Sequence, residues 1–277
     1  QTCDQRGMTG TANRAAAAVG TVRTSLIVLG PNNSGSTLLR KSIAASSGCW
    51  HLEREAQHIP GFPGPSTRST GTRLIWAASA DRLARVADPA LHDWPRSWAT
   101  WMSSAEADDV GSPVIVLSSP PFLFLAQELV RALPDPRFVF LVRDPLAIAG
   151  GILRRGAQQV LSPGEKLVEV VARHIIACFE RQRANLGCAD AEGALLRYED
   201  MCADPASASR RILRLVPELG RIDLAHRVAV KGLYDEPLRN MNAESIGALT
   251  ADELSVLSAA FVRHGELFDF FGYRVAQ

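Results

Sequence analysis

Four short stretches of this sequence carry the residue types that do chemistry. The first is Gly30-Pro-Asn-Asn-Ser-Gly-Ser-Thr-Leu-Leu39, directly after the apolar run Ser25-Leu-Ile-Val-Leu29. Glycines after a buried strand let the chain turn sharply and point several N–H groups at one spot. A helix that follows adds the positive end of its dipole. Ser34, Ser36 and Thr37 add hydroxyl donors, so the stretch reads as an anion-binding loop. Gly30 to Thr37 nearly spells GxxxxGK[ST], with Ser36 where the lysine would stand. That lysine reaches the β- and γ-phosphates, so its absence weighs against an ATPase or a P-loop kinase. A nucleotide without a triphosphate fits better. No lysine or arginine lies between Gly30 and Leu39, so positive charge has to come from elsewhere.

The second stretch, Phe138-Val-Phe-Leu-Val-Arg-Asp-Pro145, ends an apolar run on Arg143. Carboxyl ends of parallel strands face the ligand crevice, and a guanidinium there binds phosphate bidentately. The third, Leu195-Leu-Arg-Tyr-Glu-Asp-Met-Cys-Ala-Asp-Pro205, puts Tyr198, Glu199 and Asp200 at another strand end. The fourth, Gly48 to Pro60, gathers His51, Glu53, Glu55 and His58. Each is a candidate general base; the same cluster would also suit the solvated face of a short helix.

These stretches need a frame that brings strand ends together. Apolar runs at 25–30, 113–119, 137–143 and 193–198 have the continuous character of strands buried on both faces. Helical patterns at Ser36–Ser46, Leu123–Leu133, Leu146–Arg154 and Gly164–Asn185 separate them. The alternation predicts an α/β fold: a doubly wound parallel sheet with a P-loop-like strand–loop–helix and helices on both faces. Two helical segments follow, at 203–216 and 250–272, the latter with Thr250 as N-cap and Glu253 in capping-box position. Residues 1–22 are polar and without apolar periodicity, and read as a disordered tail; 23–277 read as one domain. Trp94, Trp98 and Trp101 share a helical face, for core packing, an acceptor pocket or a subunit contact. The stretch 60–73, rich in Pro, Gly, Ser and Thr, reads as a surface loop or a lid.

With 277 residues, 47% of them hydrophobic, the chain can build one large core. A formal charge of +1 gives no bulk attraction to nucleic acid or to a membrane surface. No apolar run approaches the ~18 residues of a membrane span. Five scattered cysteines without a CxxC pair predict a reducing, cytoplasmic setting, with no disulfide framework and no zinc cluster.

The loop, the Arg143-Asp-Pro strand end, the Tyr198-Glu-Asp strand end and Leu267-Phe-Asp-Phe-Phe-Gly-Tyr273, in this order, resemble the sulfotransferase family over roughly Thr24–Tyr273. The resemblance implies sulfuryl transfer from 3′-phosphoadenosine 5′-phosphosulfate (PAPS) to a hydroxyl or amine, with adenosine 3′,5′-bisphosphate (PAP) as product and no metal. It implies that Asn33, Ser34, Gly35, Ser36 and Thr37 hold the 5′-phosphosulfate, that Arg143 holds the 3′-phosphate and that Tyr198 lies along the nucleotide. Aligned on Pro60, Glu55 falls where some relatives keep their base, with His51 as second candidate. Three positions depart from the pattern. Asn33 stands where an Arg or Lys is usual, Ser118 where a Lys is usual, and Gly151 where a phosphate-binding Ser is usual. Lys231, in a basic-Gly pair, is the first candidate to compensate. Arg239, and Arg40 or Lys41 leaning back toward the loop, are others; Arg154 and Arg155 are expected to face solvent. A partner subunit, in a homo- or hetero-oligomer, could also bring the cation. The expectation is a sulfotransferase acting on a small metabolite, the sulfate being retained or serving as a leaving group. A catalytically degenerate subunit that needs a partner is the alternative, and a P-loop kinase the weakest reading.

Overall fold

The computed structural model of the chain describes residues 20–59, 74–155, 161–188, 190–226, 228–230, 234–236 and 238–274. The strands are β1 (Thr24–Leu29), β2 (Trp50–Leu52), β3 (Ala105–Glu106), β4 (Val114–Ser118), β5 (Pro136–Val142), β6 (Gly193–Arg197), β7 (Val228–Val230) and β8 (Tyr234–Glu236). The helices are α1 (Ser36–Ser47), α2 (Ala80–Ala87), α3 (Trp94–Ser104), α4 (Ala126–Ala132), α5 (Pro145–Leu153), α6 (Leu167–Leu186), α7 (Tyr198–Ala203), α8 (Pro205–Leu215), α9 (Asn242–Gly247), α10 (Ala251–Val262) and α11 (Gly265–Phe270). Lys231 and residues 60–73 lie outside the described residues.

The main sheet runs β3-β2-β4-β1-β5-β6. All pairings are parallel except that of β2 with the edge strand β3. The continuous apolar character of β1 follows from its place between β4 and β5, with every residue buried. Successive side chains go to opposite faces. Ile27 and Leu29 join the core that holds Trp50, Trp76, Trp101 and Phe122. Leu26 and Val28 join the core that holds Leu39 and Ile43 of α1. Helices on both faces satisfy the pattern, as the doubly wound reading requires. Register aligns the strand ends: Val28 pairs with Ser118 on one side and with Val139 on the other. The loop after β1, Ser118 and Arg143 therefore emerge along one edge, where α/β proteins place their ligands. Buried Gln182 of α6 staples that edge, its amide donating to Leu29 O (3.0 Å) and Leu141 O (3.2 Å).

Several boundaries differ from the sequence reading for physical reasons. The segment 123–133 divides into a 3-10 turn, Pro120–Phe124, and α4. Prolines 120 and 121 start the turn and supply no N–H for an α-helical ladder. Helix α6 starts at Leu167, because Gly164 takes a left-handed φ of 82°. The C-terminal segment breaks after Val262 into α10 and α11, and α10 starts with both bonds of the Thr250–Glu253 capping box. Val22, assigned to the tail by sequence, is buried against the core. Trp101 is fully buried, and Trp94 and Trp98 pack partly buried on the same cluster, so this face serves the core. Among the described residues no helix is long and apolar enough to cross a membrane.

Candidate functional site

The loop is shaped by close contacts as much as by torsion angles. A Cβ at Gly30 would fall 2.6 Å from Ser34 Oγ and 3.0 Å from Leu141 O, so only glycine lets the chain fold back over the end of β5. Asn33 and Gly35 have φ of 62° and 95°, a region open to glycine and tolerated by asparagine. Gly35 has a second constraint: its Cβ would sit 2.9 Å from the Tyr198 ring. Trp76 Nε1 donates to Asn32 Oδ1 (2.8 Å) and pins the outer turn. Gly35 is the N-cap of α1 and gives no side-chain cap to the helix's first N–H groups. Ser34 Oγ and Asn33 Nδ2 are buried without a hydrogen-bond partner. Leaving such a group unmet costs about 1–3 kcal/mol. Two of them beside a helix start without a side-chain cap form a cradle suited to an anion.

Arg143 is nearly buried, at 8% exposure. Its Nη1 donates to Asn33 O (2.9 Å), its Nε to Asn242 Oδ1 (2.8 Å) and its Nη2 to Ser245 Oγ (3.2 Å). Its Cζ lies 4.4 Å from the centroid of the Tyr198 ring. Tyr198 is thus sandwiched between Gly35 and a guanidinium, its hydroxyl donating to Arg239 O (2.8 Å). Burial lowers the Arg143 pKa, and the Tyr198 and Glu199 groups oppose the shift. Glu199 sets the arrangement. Its Oε1 accepts from Asp144 N (2.8 Å) and from Asn242 Nδ2 (2.7 Å), turning the amide oxygen of Asn242 toward Arg143. Its Oε2 accepts from the Tyr273 hydroxyl (2.8 Å). Asp144 caps α5 through Leu146 N and Ala147 N, with Pro145 at the first turn, so the helix starts directly after Arg143.

Arg155 is exposed, as the sequence reading expects, but it also reaches the loop. Its Nη2 donates to Asn33 Oδ1 at 2.6 Å. Gly151, one turn earlier, packs on the same side chain: its Cβ would fall 3.1 Å from Asn33 Cγ. Arg154 is exposed. Arg239 pairs with Glu244, and Lys41 pairs with Glu53 (2.8 Å). Arg40 is fully buried and points away from the loop. Its Nε donates to Ser118 Oγ (3.1 Å), its Nη1 to Leu52 O and its Nη2 to Glu53 O (3.3 Å). At Ser118, where the resemblance expects a lysine, the serine hydroxyl accepts from the buried Arg40 of α1. Burial lowers the Arg40 pKa, and the charges of Glu55 and Glu53 oppose the shift.

Glu55 stands across the loop. Its Oε1 accepts from Thr37 Oγ1 (3.4 Å) and its Oε2 from Gln57 Nε2 (3.0 Å), and His58 Nδ1 lies 3.6 Å from Oε2. His51 lies on β2, not on a helix, and its Nδ1 is buried without a hydrogen-bond partner. Burial lowers its pKa, helped by the Arg40 charge, so it is a neutral imidazole at pH 7. The backbone of β7 packs near α1, while Lys231 lies outside the described residues. A cavity of about 260 Å³ opens at the opposite end of α1, beside Ser46 and Arg221, remote from this chemistry. Among the described residues no group of three or more His, Cys, Asp or Glu is placed to hold a metal.

Sequence reasoning missed Arg155, Asn242, Ser245 and the positioning role of Glu199. Helical phase could have found Arg155, four residues after Gly151 and so on the same face. Asn242 and Ser245 carry no local signal.

A loop at the end of a central parallel strand, flanked by guanidiniums and faced by a carboxylate, has the residue types suited to an anionic ligand. The Sulfotransferase family profile matches residues 25–216, more than half of the chain, and the chain belongs to that family. No curated protein matches it in sequence. Among solved structures it is similar to the sulfotransferase domain of the Synechococcus PCC 7002 olefin synthase, with a TM-score of 0.55 and 14% identity over 92% of this chain and 97% of that one. It is also similar to the sulfotransferase STF9 of Mycobacterium avium (TM-score 0.52, 15% identity, 98% of this chain and 82% of that one). A third is the sulfotransferase domain from the curacin biosynthetic pathway (0.51, 15%, 92% and 100%). At these identities the likeness is one of fold, and it agrees with the six-stranded, mostly parallel sheet.

Proposed function

We propose that the chain is a PAPS-dependent sulfotransferase that transfers a sulfuryl group to a hydroxyl or amine of a small metabolite. One observation carries the reading: the unmet donors Ser34 Oγ and Asn33 Nδ2 lie in the loop that Arg143 grips, and the Glu55 carboxylate faces that loop through Thr37. The backbone of Asn33–Thr37 and the hydroxyls of Ser34, Ser36 and Thr37 hold the phosphosulfate, and Arg143 holds the 3′-phosphate. Glu55 accepts the acceptor's proton while the acceptor oxygen bonds to sulfur and the sulfur–oxygen bond to the nucleotide phosphate breaks. Transfer of this kind runs through a loose, in-line transition state, so positioning and charge stabilisation dominate. Arg143 and Arg155 bring this chain's own cations to the loop, which favours a site complete in one chain over one completed by a partner. The four described cysteines are free, which supports a reducing, cytoplasmic setting. The sulfate is retained as an ester or serves as a leaving group in a biosynthetic step.

Thermal shift with PAP against ATP–Mg²⁺ tests the reading. PAP raises the unfolding midpoint, as binding to the native state alone requires. Arg143→Lys, which keeps a cation but loses the fork, weakens the shift. Stabilisation by ATP–Mg²⁺ and not by PAP overturns the proposal.

A further inference from the structure

The anion loop carries no cation of its own between Gly30 and Leu39. Arg143 approaches it, but that guanidinium is nearly buried and bonds Asn33 O, Asn242 and Ser245. Arg155 approaches the same residue from the other end of α5, donating to Asn33 Oδ1 at 2.6 Å from an exposed position. Asn33 is therefore held by two guanidiniums, one on its backbone and one on its side chain.

We infer that Arg155, carried on the Asn33 side chain, is the loop's phosphate-binding cation. The inference rests on the PAPS reading and adds a ligand contact to it. Three features of the geometry support it. A guanidinium has five donors, so one bond to Asn33 is compatible with another to a phosphate oxygen. On the same amide, Asn33 Nδ2 is buried without a partner. An anion reaching both that N–H and Arg155 would satisfy the amide and neutralise the charge. Finally, Gly151 makes the arrangement possible. A Cβ there would fall 3.1 Å from Asn33 Cγ, 3.3 Å from its Cβ and 3.4 Å from Nδ2, which would push the amide aside. Gly151 and Arg155 are four apart on one helical face. The missing loop cation at Asn33 and the small residue at Gly151 thus belong to one arrangement: the glycine seats the asparagine, and the asparagine orients the arginine.

Calorimetric titration of PAP into the purified chain tests this. Arg155→Ala weakens PAP binding at least tenfold, Arg155→Lys falls between, and Arg154→Ala, on the exposed neighbour, stays within twofold of wild type. Unliganded thermal midpoints of all three variants stay at the wild-type value, since both arginines are exposed. Gly151→Ala weakens binding in the wild type and has a smaller effect in the Arg155→Ala background, because the two act through one side chain. Wild-type affinity in Arg155→Ala, or an equal loss in Arg154→Ala, overturns the inference and leaves the PAPS reading standing. A wild-type chain that does not bind PAP overturns both.

Discussion

Arg40 presents a test of how the crevice is held together, because its cation is fully buried and its hydrogen bonds run to neutral acceptors: Ser118 Oγ, Leu52 O and Glu53 O. Arg40→Met keeps an unbranched stem and removes the guanidinium. Ser118 and Leu52 are buried, at 1% exposure each, so their acceptors lose a partner that water does not replace, whereas the exposed Glu53 rehydrates. At about 1–3 kcal/mol for each buried acceptor left unmet, the loss is about 2–6 kcal/mol. The variant regains part of this by no longer desolvating a charge. The net expectation is a destabilisation on the order of 2 kcal/mol by urea unfolding at pH 7, or roughly 4–8 °C in thermal midpoint for a chain of this size. The same bonds fix the end of β2 and the turn that leads to Glu55, so turnover falls at least tenfold. Ser118→Ala alone leaves the buried Arg40 Nε–H unmet and costs about 1–3 kcal/mol. In the double variant Ser118 no longer stands unmet, so its cost is smaller than the sum of the two single costs. A stability within 0.5 kcal/mol of wild type in Arg40→Met, or strict additivity with Ser118→Ala, refutes the view that Arg40 ties β2 and β4 to α1.

Three further outcomes are expected. Glu55→Gln leaves PAP affinity unchanged in calorimetry and lowers turnover at least tenfold, as loss of a general base requires; unchanged turnover removes Glu55 from the base role. Gly35→Ala places a methyl 2.9 Å from the Tyr198 ring at a φ of 95°, so it costs about 1–3 kcal/mol in urea unfolding and lowers PAP affinity; a variant as stable and as tight-binding as wild type contradicts the loop geometry. His174 is fully buried and accepts from Ala77 N at Nδ1 (3.2 Å), which places its proton on Nε2, and burial holds its pKa down at about 3 against an ordinary 6.5. Below 6.5 the unfolded chain takes up a proton that the folded chain refuses. Stability is therefore full above that value and falls by about 1.4 kcal/mol per pH unit as pH drops toward 3. Between pH 7 and pH 5 wild type loses about 2 kcal/mol more than His174→Gln; equal losses in urea unfolding at the two pH values refute the burial argument.

The parts legible in sequence are those whose signals are local. β1, β4, β5 and β6 are continuous apolar runs because neighbours and helices cover both their faces. β2 and β3, with three and two residues, are too short for a period to show, and with them went the placement of His51. The loop and Arg143 were visible as turn chemistry and as a strand end. Their coupling was not, since Arg143 and Asn33 are 110 residues apart and Arg143 and Asn242 are 99. Positive charge shows the difference most clearly. Counted along the chain, the loop lacks a cation. Arranged by the fold, the stretch Arg143–Arg155 grips Asn33 from both ends of α5, and Arg40 of α1 donates to Ser118. A glycine pair makes this possible: a Cβ at Gly150 would meet Ser245 O at 2.0 Å and one at Gly151 would meet Asn33. One small residue thus admits α9 against Arg143, and the next admits the side chain that Arg155 holds. In sequence the two glycines look like weak helix formers, each costing about 1 kcal/mol against alanine. Their use appears only when the two surfaces that approach them are known.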